Sequence, residues 1–194
     1  VKDEGDAPVP PLFGNFPANR AVLEKDRRKS DFKFAAVGDV SSIGTFERIV
    51  SELRKEPLDF VILLGDVSHE ATEEHHRYVR AELDEYTLPC PMFYVVGNHD
   101  VDPKSFPIAR FEKVYGPSIF SFEYRKCLFI VLRILDTPRF NNEESLAFLA
   151  TFRRIDLKKY LHTFVFFHLP PSSISAYFRG HSFSEEKALL KLID

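Results

Sequence analysis

The feature that most constrains the fold is a set of short, unbroken apolar runs, each ending in a residue able to bind a metal. Phe34 to Val37 runs into Gly38-Asp39, and Phe60 to Leu64 into Gly65-Asp66. Met92 to Val96 runs into Gly97-Asn98-His99-Asp100, and Thr163 to Phe167 into His168-Leu169-Pro170-Pro171. Apolar runs without polar alternation read as strands covered on both faces, and the glycines mark tight turns. Between them lie helical patterns. Thr45 is expected to cap a helix carrying Phe46, Ile49, Val50 and Leu53, which Pro57 ends. Ala71 to Tyr86 reads as a helix with a charged outer face, on which His75 and His76 are expected to be solvated. Asn142 to Phe152 reads as another helix, and Ser184 as the cap of a last one. Ile119–Tyr124 and Cys127–Leu135 read as a hairpin around Arg125-Lys126. Strands alternating with helices predict an α/β fold, in which ligands bind at the C-terminal strand edge.

The size suits one domain: 194 residues, 44% hydrophobic and 28% charged. Twenty Phe with no Trp and one Met predict an aromatic core. A net charge of −3 gives no global pull toward nucleic acid or anionic lipid, and leaves room for a local basic patch. Cys90 and Cys127 sit in or beside apolar runs and read as buried thiols. No apolar run is long enough to span a membrane. The chain starts at Val1, so an upstream segment is expected to be missing, with any signal or anchor it carried, and the compartment is left between cytoplasmic and exported. Oligomeric state is left open. Residues 1–31 read as a flexible or surface-wrapping arm, because Pro8, Pro10, Pro11 and Pro17 preclude a long helix.

Asp39, Asp66, Asn98, His99, Asp100 and His168 form one chemically coherent set. Carboxylate, amide and imidazole suit hard or borderline divalent metals. Asp66, on a turn, is placed to bridge two of them, and paired metals clamp a phosphoryl group. His99 follows a candidate ligand and is expected to donate a proton. Asp100 is expected to hold its other ring nitrogen.

These four segments resemble the signatures of the calcineurin-like metallophosphoesterases, in order and in strand context. The resemblance runs from about Phe32 to the C-terminus. It implies a sandwich of two mixed β-sheets flanked by helices over residues 32–194. It also implies hydrolysis of a phosphomonoester or phosphodiester through a hydroxide bridging two divalent metals (manganese, iron or zinc). Asp39 would bind the first metal, Asp66 would bridge, and Asn98 and His168 would bind the second. His99 would protonate the leaving oxygen. The family's His two residues after the first Asp is Ser41 here. Purple acid phosphatases also lack that His and place a Tyr three residues after the second Asp, so His69 is expected to supply the missing ligand. The family's final Gly-His-x-His is not matched. Gly180-His181-Ser182-Phe183 lies too close to His168, and the domain is expected to be incomplete at its C-terminus. The rival reading, to which Ser41 points, is a catalytically degraded relative that keeps the fold as a binding scaffold.

Overall fold

The structure is a computed structural model that describes residues 10–25, 31–42, 44–171 and 185–193. Pro8, the Gly180-His181-Ser182-Phe183 stretch and the Ser184 cap fall outside those residues. The first sheet has the order β1 (Phe34–Val37), β2 (Phe60–Leu63), β3 (Met92–Tyr94), with every pairing parallel. The second has the order β4 (Phe120–Tyr124), β5 (Cys127–Val131), β6 (His162–Phe166). There β4 and β5 are antiparallel, while β5 and β6 are parallel. The two expected sheets are therefore present, and the mixed pairing is confined to the second.

β2 explains the layering. Its four residues are all buried, yet they serve two faces. Val61 and Leu63 join the core beneath α2 (Thr45–Leu53), α3 (Glu73–Glu85) and α4 (Ile108–Tyr115). Phe60 and Ile62 point the other way, into an apolar layer shared with Phe122, Phe129 and Val131 of the second sheet. That layer is built from aromatic rings, as the Phe count predicts. Phe60 meets Phe129 edge-on at 5.2 Å and stacks on Phe34 at 5.1 Å. The outer face of the second sheet, Leu128 and Ile130, is covered by α5 (Glu143–Thr151) and α6 (Glu186–Ile193) through Leu149 and Leu189. The result is helix, sheet, sheet, helix. Arg125 and Lys126, both at positive φ, make the tight hairpin turn between β4 and β5.

One local expectation fails. Thr45 does not cap α2; Gly44 occupies the cap position at φ 74°, without a side-chain bond. The arm, which the sequence leaves between flexible and surface-wrapping, is described over residues 10–25. Pro17 opens a helix, α1 (Pro17–Lys25), because proline is favoured at a first helical position. Phe13 pairs in parallel with Met92, and buried Asn15 bonds both the N–H and the C=O of Tyr94. This stretch closes the open edge of β3.

Candidate metal centre

Three strand ends of the first sheet and one of the second meet at one edge of the sandwich. Asp39 and Asp66 each sit just past a strand with positive φ, 55° and 52°. Asp tolerates this left-handed region better than most residues, and strained backbone of this kind clusters at functional sites. The glycines let the turns approach. A Cβ on Gly97 would lie 2.2 Å from Asp66 Oδ1, and one on Gly65 would lie 2.7 Å from His168 Nδ1. No larger residue fits at either position.

The turns carry Asp39, Asp66, Asn98, His99 and His168 into one cleft of about 300 Å³. Asp39, Asp66 and His168 each offer a ligand atom, and these atoms lie within 4.8 Å of one another. His168 Nδ1 donates to the Leu64 carbonyl at 2.7 Å. Its Nε2 stands 3.0 Å from Asn98 Oδ1 and 3.3 Å from Asp66 Oδ2. A neutral His168 bonded in this way faces two oxygen acceptors with a lone pair. Three acceptors aimed at one point require a cation or a proton between them. Burial alone would lower the His168 pKa, but the hydrogen bond and charge of Asp66 outweigh it and push it up to about 9. Burial likewise tends to raise the Asp66 pKa, yet His168 and the His99 N–H bring it below its usual value. The donor set therefore fits a divalent cation.

Asp100 has a different task from the one its motif suggests. It is fully buried and does not hold the His99 ring. Its two oxygens accept from the backbone N–H groups of Asp66, Val67, Ser68 and Gly97 and from the Tyr94 hydroxyl, all at 2.7–3.0 Å. One carboxylate thus clamps the Gly65-Asp66 turn to the Gly97-Asp100 turn. His99 instead donates its backbone N–H to Asp66 Oδ1 at 2.9 Å, and its Nδ1 lies 3.2 Å from the His69 carbonyl.

His69 does not join Asp39. It is exposed, its ring lies 6.2 Å from that of His75, and it lines a neighbouring groove with Asn98, His99 and Arg139. It offers the site a backbone carbonyl, because the turn after Asp66 carries its side chain past the cleft. His76 is not solvated either. It is fully buried, stacked 3.7 Å from Phe106, with Nε2 2.7 Å from the Asp100 carbonyl. Its spacing to Val79 and Leu83 on one helical face is the signal that could have placed it inside. Arg139, which the motifs do not reveal, holds Asp102 at 2.7 Å and the Val101 carbonyl at 3.2 Å, bracing the loop beyond His99.

A model of the calcineurin-like phosphoesterase family matches residues 32–192. The chain belongs to that family. Members of that family are generally metal-dependent phosphoesterases. No curated protein matches the chain. Among the described residues, no helix is long and apolar enough to cross a membrane.

Proposed function

We propose that the chain hydrolyses a phosphomonoester or phosphodiester with two divalent metals. Asp39 would hold one, Asp66 would bridge, and Asn98 and His168 would hold the other. The observation that supports this most is the convergence of Asp39, Asp66 and His168 ligand atoms within 4.8 Å, from three separate strand ends. Carboxylates that close destabilise one another without a cation. Metals in such a site supply Lewis acidity and a water ionised at neutral pH.

The protein groups around them have separable tasks. His168 is oriented by the Leu64 carbonyl, the usual way a ligating ring is held. His99 Nδ1 faces the His69 carbonyl, which leaves Nε2 as the nitrogen to meet the departing oxygen. Asp100 touches no reacting atom and fixes the two turns.

With Ser41 lacking an imidazole and His69 turned away, the metal at Asp39 has the thinner ligand set. That observation is what favours the rival scaffold reading. Metal content after dialysis against manganese or zinc, with turnover of a generic aryl phosphomonoester and phosphodiester, decides between them. The expected result is bound metal and metal-dependent turnover. Asp66→Asn should then reduce kcat/KM by more than about 100-fold, the upper end for removing a group that merely orients a ligand. A metal-free chain without turnover would leave the scaffold reading in its place, and full activity in Asp66→Asn would put the turnover outside this cleft.

A further inference from the structure

The end of the sandwich opposite the candidate metal centre has an unusual surface. Among the described residues six large hydrophobic side chains are exposed, and four of them gather there. They are Leu161 at 69%, Ile193 at 44%, Ile155 at 41% and Leu157 at 39%. Two 3₁₀ turns, Phe152–Arg154 and Leu157–Lys159, carry most of this stretch, and buried Phe152 fastens it to the core. Leu161 N–H donates to the Lys126 carbonyl at 2.7 Å, which brings the β4–β5 turn alongside. The Arg153 guanidinium donates to the Lys191 carbonyl, which brings up the end of α6.

Cations surround these apolar groups. Lys126, Arg153, Arg154, Lys158, Lys159 and Lys191 are all exposed. The acids among them are few and engaged: Asp156 accepts from the Lys158 N–H at 3.0 Å, and Glu123 lies 3.5 Å from Lys159. Across the whole chain the net charge is −3, so positive charge is concentrated at this end.

We propose that this face docks on an anionic lipid bilayer. Charge complementarity selects the sign of the partner, since basic clusters beside a membrane surface bind acidic headgroups. The aliphatic side chains select lipid over nucleic acid, whose bases are held by aromatic stacking platforms. Leu157, Leu161, Ile155 and Ile193 enter the headgroup boundary, and lysine and arginine stems lie along it with their charges at the phosphates. β6 begins at this face and reaches His168 six residues later, about 20 Å away at strand rise. Docking therefore leaves the cleft open to water. The inference stands whether or not the cleft turns over a phosphoester.

Co-sedimentation of the intact chain with phosphatidylcholine vesicles, with and without phosphatidylglycerol, tests it. The expected result is binding only to the anionic vesicles, with release at high salt. Each lysine or arginine near such a surface contributes about five-fold in binding, so Arg154→Glu with Lys158→Glu should cost about 25-fold or more. Leu157→Ser with Leu161→Ser should weaken binding roughly ten-fold through lost apolar contact. Lys55→Glu, beyond α2, should change nothing. Thermal melts of each variant establish that it is folded. Equal binding to both vesicle types, no binding, or parental binding by the folded charge-reversed variant would overturn the proposal. Binding to RNA or an acidic polypeptide with no vesicle binding would overturn it equally.

Discussion

His76 sits neutral between the Asp100 carbonyl and the Tyr115 hydroxyl, with rings on both sides. The carbonyl fixes the tautomer: Nε2 carries the proton, and Nδ1 accepts from Tyr115 at 2.9 Å. Burial, aided by the charge of Arg80, lowers the His76 pKa from 6.5 to about 4 against the opposing pull of the Asp100 carbonyl. The consequence for stability has a definite sign. Between pH 6.5 and 4 the unfolded chain takes up this proton and the folded chain does not. The contribution is complete above pH 6.5 and drains away as pH falls toward 4, by about 3 kcal/mol in all. Urea melts at stepped pH should therefore be steeper across this window in the native sequence than in His76→Gln. Equal slopes would mean that His76 is protonated in the fold. Charge pattern alone put this residue on the surface, because its neighbours Glu73, Glu74, His75 and Arg77 are polar. Asp39, Asp66, Asn98 and His168 were legible for the opposite reason: each ends an apolar strand, where no packing role competes. Asp100 was legible as part of a motif, but its partners were not. They lie 3 to 34 residues away and are mostly backbone groups.

The elements themselves followed from hydrophobic pattern wherever the pattern was long. The four apolar strands and the hairpin are where the runs place them. In the arm the proline count anticipates neither the short helix α1, which Pro17 begins, nor the bridge from Phe13 to Met92. Asn15 makes this concrete. Its amide supplies both a donor and an acceptor to Tyr94, and a third bond reaches the Pro117 carbonyl at 2.9 Å. Asn15→Ala would leave the buried N–H and C=O of Tyr94 without these partners. Each unsatisfied buried group costs about 1–3 kcal/mol, so a loss of roughly 2–4 kcal/mol is expected in a urea melt. A loss below about 0.5 kcal/mol, the range of an ordinary surface substitution, would mean that the arm does not secure β3.

At the scale of the whole molecule, the candidate metal centre is a junction. Asp39 and Asp66 belong to the first sheet, and His168 follows β6 of the second. A cation among them would tie two sheets that are otherwise joined chiefly by a layer of phenylalanine rings. Without such a cation, two carboxylates would stand at close range with only a proton on His168 between them. The metal should therefore bind the folded chain far better than the unfolded one, in which these residues are 27 and 102 positions apart. A ligand present at 100 times its Kd adds about 2.7 kcal/mol to stability. For a domain of this size that corresponds to a rise in Tm of about 5–10 °C. Melts of the intact chain with manganese, with zinc and with a chelator measure this without any substrate. The rise should be largest for the native sequence, reversed by the chelator and largely absent in Asp66→Asn, which removes one carboxylate from the candidate ligand set. Asp156→Asn, at the far end of the molecule, should keep the full shift. A Tm indifferent to metal, or an equal rise in Asp66→Asn, would place any bound metal elsewhere on the surface and leave the three strand ends joined by the His168 proton alone.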